Sequence, residues 1–317
     1  MARIVFFGTP QFAVPSLEAL VQNGHDIAAV VTAPDKPAGR GLQLKHSPVK
    51  AFALLHSIPV LQPIKLSDPG FLDSLRILNA DLFIVVAFRM LPESVWNMPP
   101  AGTYNVHSSL LPSYRGAAPI NRAVMDGCTK TGVTTFKLKH EIDTGGIILQ
   151  QETLIGEDET AGELHDRLML MGAEILVDTV EMIVAGKSNP VPQEQLATDI
   201  TTLPVAPKIF SSDCSIHWDH SDNQVHNLIR GLSPFPGAYT HLVQENGAKQ
   251  MLKVFKTAKS DLPSKLNPGE LQVSNGKLYV GTESGALQIL ELQLEGKKRM
   301  PAADFLRGNN IERSILK

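Results

Sequence analysis

Only two cysteines occur in 317 residues, Cys128 and Cys214. They stand far apart with no C-x-x-C partner, so neither a disulfide framework nor a zinc-ligand spacing can be read, and both are expected as reduced thiols. Excess charge is missing too. Lys and Arg number 29 against 32 Asp and Glu, a net charge of -3. That argues against a chain wrapped in nucleic acid, yet it leaves room for a local basic strip, because steering depends on where charge lies rather than on its sum. No apolar run approaches the length of a membrane span. The opening run at 4–7 stops at Gly8, Thr9 and Pro10 without the layout of a signal peptide, so a cytoplasmic protein is expected. The three-glycine turn that brings a pyrophosphate close to backbone is absent after that run as well.

What is present is enough apolar material for two cores: 43% of the residues are hydrophobic, and the length favours two domains. The run at 4–7, a helical pattern over 12–22 that Gly24 can close, and a second run at 27–31 make a β-α-β unit, which imposes a parallel sheet. Helical patterns follow at 49–56 and 71–78, with strand-like runs at 58–61, 81–87, 103–107, 133–138 and 147–151. Residues 81–87 read as a strand buried on both faces. Pro119 can open a short helix reaching toward Asp126, with Gly127 as its stop. From 160 to 185, Leu164, Leu168, Met171, Ile175 and Val180 recur at helical spacing, so Met169 and Met171 are packing residues of a long core-facing helix. The expected fold class is α/β, a Rossmann-like parallel or mixed sheet over 1–187.

Periodicity then dissolves into K-S-N-P-V-P-Q-E-Q, and residues 188–205 are read as a linker. The remainder, 206–317, carries a helical run at 221–230 and five short strand-like segments at 238–243, 251–256, 271–273, 277–280 and 286–294. Short strands with turn signals at this spacing suggest a small OB-like β-barrel. Lys249, Lys253, Lys256 and Lys259, with Lys297, Lys298 and Arg299, can form a positive strip on it, although a solvated face is the commoner outcome of such a run. A second basic stretch lies in the first half. Residues 33–50 form a loop with three prolines and two glycines carrying Lys36, Arg40, Lys45 and Lys50; a loop of this length inside a domain is functional or simply mobile.

Chemistry concentrates in N-V-H-S-S-L-L-P-S-Y-R-G-A-A-P at 105–119 and in H-E-I-D-T-G-G at 140–146. Asn105 and His107 are two apart, so if 103–107 ends a strand they share a face of it, at the end where open α/β sheets place ligands. Asn105 can donate an N–H to a developing oxyanion; His107 can donate to it or move a proton. Asp143 can orient the imidazole and favour its charged form. No serine or cysteine nucleophile is needed when the substrate is itself an amine. Taken singly, an Asn-x-His is more often a turn or a satisfied core histidine, and an isolated Asp-Thr-Gly is usually only a turn. His140 and Glu141, one histidine beside one acid, do not make a metal site, and none is expected.

N-V-H-S-S-L-L-P-x-x-R-G-A-A-P-I together with D-T-G-G-I resembles the signature of the folate-dependent formyltransferases, most closely of the members that act on a charged initiator tRNA. The resemblance implies that Asn105, His107 and Asp143 are catalytic and that Ser109, Leu110, Leu111 and Pro112 line the site for a reduced folate. It also assigns F-R-M-L-P, with Phe88, Arg89 and Met90, to the folate pocket, and gives Arg115 a site role it does not specify; Arg89 could equally be a surface residue. P-D-K-P-A-G-R-G is similar to a loop that the tRNA-dependent members insert, with Arg40 as its RNA-contacting arginine and Lys36 and Lys45 adding screened attraction. One departure is Ser108, where members more often have alanine, proline or glycine. The second half is matched more loosely, through H-W-D, I-R-G-L-S-P-F-P-G-A and G-K-K-R-M.

The expected activity is therefore transfer of a formyl group from 10-formyltetrahydrofolate to the α-amino group of methionyl initiator tRNA, by a monomer, for translation initiation. Two other readings stand beside it. A formyltransferase for an amino sugar or a small ribonucleotide amine would share the Asn, His and Asp but needs neither the Arg40 loop nor the barrel. A silent folate- or RNA-binding module would bind without turnover.

Overall fold

The computed structural model describes residues 1–38, 43–197, 199–260, 262, 266–309, 311 and 314–317. The chain divides into two compact units: Met1–Gly116, Thr131–Thr153 and His165–Val205 make the first, and Ala117–Lys130, Leu154–Leu164 and Ala206–Lys317 the second.

In the first unit seven strands form one sheet. They are β1 (Arg3–Gly8), β2 (Asp26–Val31), β3 (Val60–Leu61), β4 (Leu82–Val86), β5 (Thr103–His107), β6 (Lys130–Lys137) and β7 (Ile147–Leu154), in the order β7-β6-β5-β4-β1-β2-β3. The pairs among β1 to β5 are parallel and β5–β6 is antiparallel, which gives the mixed Rossmann-like sheet expected. Chain order runs outward from β1 to β3, then returns to β4 on the other side. That reversal puts the carboxyl ends of β1, β4 and β5 where such sheets hold ligands.

Both faces of the central strands are covered. Val5, Phe7, Val31, Phe71, Leu75, Phe83 and Val85 pack into one cluster, while Ile4, Phe6 and Ile84, alternate in sequence, are equally inaccessible on the other side. Each such side chain contributes roughly 1.5–3 kcal/mol by leaving water. Helices α1 (Val14–Gln22), α2 (Pro48–Leu55) and α3 (Pro69–Ile77) start where proline tolerates a first turn, with Ser47 and Asp68 capping the last two by accepting from Lys50 and Phe71 N–H. The long helix α4 (Ala161–Val184) lies so close to β5 that a Cβ on Gly172 would stand 3.0 Å from Val106 Cγ1.

Two stretches differ from their expectation. The presumed loop 33–50 holds an antiparallel pair, Lys36–Ala38 with Gln43–Lys45, in which Lys36 faces Lys45. Three-residue strands are too short for a period-2 pattern to register, so composition alone read as loop. Residues 188–205, polar and proline-bearing, carry the 3-10 turns Gln193–Gln195 and Ile200–Thr202 and group with the first unit.

The second unit includes the short helix Pro119–Met125 and the helix Asp222–Gly231, whose Ser221 and Gln224 form a reciprocal capping box. Its strands, Ala238–Val243, Lys249–Lys259, Leu271–Ser274, Lys277–Gly281, Ala286–Leu294, Met300–Pro301 and Ile315–Leu316, make one antiparallel sheet. Ile315 pairs with Val243 on one side and with Glu270 on the other, so the sheet closes on itself as a barrel. Two irregularities in the Lys249–Lys259 strand, beside Lys256, leave Lys249, Lys256 and Lys259 exposed, and a single alternation could not have put all three outward.

Candidate active site

Strand β5 ends in the two polar residues that the spacing places on one face. Asn105 is half-buried, with Val85 as its parallel and Phe136 as its antiparallel neighbour, and His107 is buried beside Thr134. Between them Val106 turns into the apolar layer under α4. The strand therefore alternates, and Asn105 and His107 share one face of it at its carboxyl end.

His107 is held by a hydrogen bond at one ring nitrogen and faces a carboxylate from the other. Nε2 donates to the Tyr114 carbonyl at 2.9 Å, a group that can only accept, so that nitrogen carries the proton. Nδ1 lies 3.9 Å from Asp143 Oδ2, with only 7% and 13% of the two side chains exposed. Asp143 Oδ2 also accepts from Gly116 N–H at 2.9 Å, which fixes the carboxylate between a backbone amide and the imidazole. Low exposure strengthens the attraction of this pair whenever the imidazole is protonated. Asp143 itself has φ 53, a left-handed conformation that aspartate tolerates better than most residues.

The two glycines after Thr144 serve close approach. A Cβ on Gly145 would fall 1.7 Å from the Lys137 carbonyl oxygen, and one on Gly146 would fall 2.7 Å from Pro190 Cβ. D-T-G-G thus folds flat against the end of β6, which carries Asp143 toward β5 although 36 residues of sequence separate it from His107.

The segment after His107 is held by a threonine. Thr134 Oγ1 donates to the Ser109 carbonyl at 2.6 Å and accepts from Leu111 N–H and from Gln150 Nε2; Gln150 Nε2 also reaches the Leu111 carbonyl at 2.8 Å. Ser109 Oγ donates to the Ser113 carbonyl. Ser109 and Leu111 are buried, whereas Leu110 and Pro112 are half-buried. Sequence reading found the loop but not its supports, because a strand threonine and a strand glutamine carry no spacing signal.

Phe88 is half-buried, with its ring 5.7 Å from that of Phe7. Arg89 is exposed, and its guanidinium donates to the carbonyls of Pro63 and Ile64, which is the surface alternative of its two readings; Met90 is 75% exposed. Lys36 and Lys45 are exposed and opposite each other, while Arg40 lies outside the described residues. Arg115 donates to Gln193 Oε1 from Nε and Nη2. Among the described residues no group of three or more His, Cys, Asp or Glu could hold a metal ion, and no helix is long and apolar enough to cross a membrane.

Comparison with known proteins places this geometry in context. Residues 2–180 match the family model described as formyl transferase, and residues 208–310 match the model of the formyl transferase C-terminal domain. The chain is 49% identical over 311 residues to the methionyl-tRNA formyltransferase of Bacteroides fragilis, covering 98% of this chain and 95% of that protein. It is 50% identical over 309 residues to the protein of that name from Parabacteroides distasonis, covering 96% and 95%. Among solved structures, HypX from Aquifex aeolicus in complex with tetrahydrofolic acid superposes with a TM-score of 0.66 at 18% identity, over 96% of this chain and 47% of that one. An N-formyltransferase from Helicobacter canadensis, solved with folinic acid and dTDP-3-aminofucose, gives 0.64 at 17% identity over 95% and 100%. At these identities the two structures speak for the fold.

Proposed function

The chain belongs to the formyl transferase family, and on that footing we propose that it transfers the formyl group of 10-formyltetrahydrofolate to the free α-amino group of methionine carried by initiator tRNA. The acceptor rests on near-half identity, over almost the whole chain, to proteins named for methionyl-tRNA. The catalytic assignment rests on one observation: a buried His107 beside the half-buried Asp143, at the end of the strand that carries Asn105 on the same face.

The folate supplies an electrophilic formyl carbon and the aminoacyl group supplies the nitrogen that attacks it. The amide N–H of Asn105 donates to the formyl oxygen as negative charge gathers there; one well-aimed donor of this kind typically contributes about 2.7–4 kcal/mol. Because Nε2–H of His107 is committed to Tyr114, Nδ1 is the ring atom that exchanges a proton. In the charged ring Nδ1–H can donate toward the developing oxyanion, and Asp143 balances that charge. When the ring is neutral, the proton shed by the amine reaches Nδ1; when Nδ1 already carries a proton, it passes instead through a water beside the Asp143 carboxylate. The nitrogen of the departing folate takes a proton in exchange.

The half-buried apolar side chains of Leu110 and Pro112, next to backbone held by Thr134 and Gln150, suit a flat ring with amide edges, and Ser109, Leu111 and the 88–90 segment border the same strand ends. Arg40 is proposed as the residue that clamps phosphate or an unpaired base at the RNA end, with Lys36 and Lys45 as nearby charge. Asn105→Ala and His107→Ala should each cut turnover by about 10²–10³-fold with RNA binding nearly intact. Undiminished transfer by His107→Ala would reject the assignment.

A further inference from the structure

Gln193 lies in the stretch that composition marks as connecting chain, yet it is completely buried. Its side chain uses its full hydrogen-bonding capacity. Nε2 donates to the Asp143 carbonyl and to the Gly145 carbonyl, both at 2.8 Å. Oε1 accepts from Arg115 Nε at 3.0 Å and from Arg115 Nη2 at 2.5 Å. A carboxamide offers two N–H donors and an oxygen with two lone pairs, so nothing remains unpaired and the amide cannot be flipped without breaking all four bonds. The backbone around it is registered too: Val191 and Ile147 exchange N–H···O bonds at 2.8 Å in both directions, and Pro190 stands over Gly146.

The bonds close a circuit. Arg115 precedes Gly116, whose N–H holds the Asp143 carboxylate, and follows Tyr114, whose carbonyl holds His107. Gln193 joins the guanidinium of Arg115 to the backbone on either side of Thr144. It therefore ties the segment that orients the imidazole to the turn that presents the carboxylate, and it does so where Asp143 occupies a left-handed conformation that needs outside support.

We propose that Gln193 is a positioning residue for the reaction, setting the Asp143 carboxylate against His107 by clamping the D-T-G-G turn to Arg115. This rests on the reading of Asp143 and His107 given above. A misplacement of about 1 Å can lower a rate on the order of 10²-fold, which is the size of effect a slack turn would produce. The amide is required in both halves: a glutamate keeps the acceptor for Arg115 but turns two donors into lone pairs facing carbonyl oxygens.

The test is a double-mutant cycle of Gln193→Met and Gln193→Glu with Asp143→Asn, read by kcat and KM for both substrates and accompanied by circular dichroism. Each Gln193 variant should lower kcat on the order of 10²-fold with KM changed less than about threefold, and should add little to the loss already caused by Asp143→Asn. If Gln193→Met loses its fold, Gln193→Glu, which retains the Arg115 bonds, carries the cycle. Equal fold-losses in the wild-type and Asp143→Asn backgrounds would overturn the proposal and leave Gln193 as a structural residue only, and so would an unchanged kcat. Absence of turnover in the wild-type protein itself would instead reject the functional reading on which the proposal depends.

Discussion

Replacing Gly145 by alanine should damage the reaction far more than the fold. The added Cβ would meet the Lys137 carbonyl oxygen at 1.7 Å, its carbon at 2.8 Å and Phe136 Cδ2 at 3.1 Å. Real Cβ contacts stay beyond 3.0 Å, so the turn has to lift by more than an ångström, and the obstacle is strand backbone that cannot rotate away. Overpacking of this kind typically costs about 1–3 kcal/mol of stability. Asp143 is two residues away and Gln193 donates to the Gly145 carbonyl itself, so the displacement passes directly to the carboxylate. A shift near 1 Å corresponds to a loss on the order of 10²-fold in kcat. Gly186→Ala is the control: it has φ +66 and nothing within 4 Å of the added Cβ, so it should cost about 1 kcal/mol from backbone strain and leave kcat alone. Steady-state formyl transfer and thermal unfolding of both variants separate the two effects. Activity of Gly145→Ala within twofold of wild type would refute the argument that this turn places the carboxylate.

Thr134→Val removes the hydroxyl that donates to Ser109 and accepts from Leu111 and Gln150, so KM for the formyl donor should rise by the equivalent of about 1–3 kcal/mol while RNA affinity stays put; an unchanged KM would free the loop from this support. Arg40→Ala should weaken productive use of tRNA while sparing folate binding, and equal damage to both would count against the division of roles. In the second unit, burial holds the His226 imidazole below its ordinary value of 6.5; the Glu157 carbonyl and Asp158 oppose the shift, while Arg230 and Lys259 reinforce it. A base depressed in the folded state gains protons on unfolding. The stability it contributes is thus complete above pH 6.5 and is lost as pH falls from there through the folded value. Thermal unfolding followed from about pH 7.5 to 5 should fall more steeply for wild type than for His226→Gln, and parallel curves would reject the linkage.

Periodicity made the framework legible because the elements concerned are long or doubly buried: β1, β4, β5 and five of the seven barrel strands stand within a few residues of where alternation and apolar runs put them, while the two-residue strands Met300–Pro301 and Ile315–Leu316 are too short to register. Asn105 and His107 could be paired from sequence because a strand converts a spacing of two into a shared face. Asp143 could be linked to them through the resemblance, but its geometry depends on contacts no local pattern encodes. Gly145 and Gly146 are needed for what lies opposite them, Lys137 and Pro190, and not for their own torsions. Gln193 escaped notice for a similar reason. Its partners are two backbone carbonyls and an arginine 48 to 78 positions away, and a glutamine between a proline and a glutamate reads as solvated chain. The strand pair that holds Lys36 and Lys45 was hidden by brevity, and the support of the Ser109–Pro112 loop by the ordinariness of a strand threonine.

The most direct measurement is formyl transfer from 10-formyltetrahydrofolate by the wild-type chain and its His107→Ala variant, with methionyl initiator tRNA and a small amino sugar offered as separate acceptors. The account predicts N-formylmethionyl-tRNA from the wild-type chain, none above background from the variant, and no product from the small amine. Formylation of the small amine alone, or binding of folate and RNA without turnover, would contradict it.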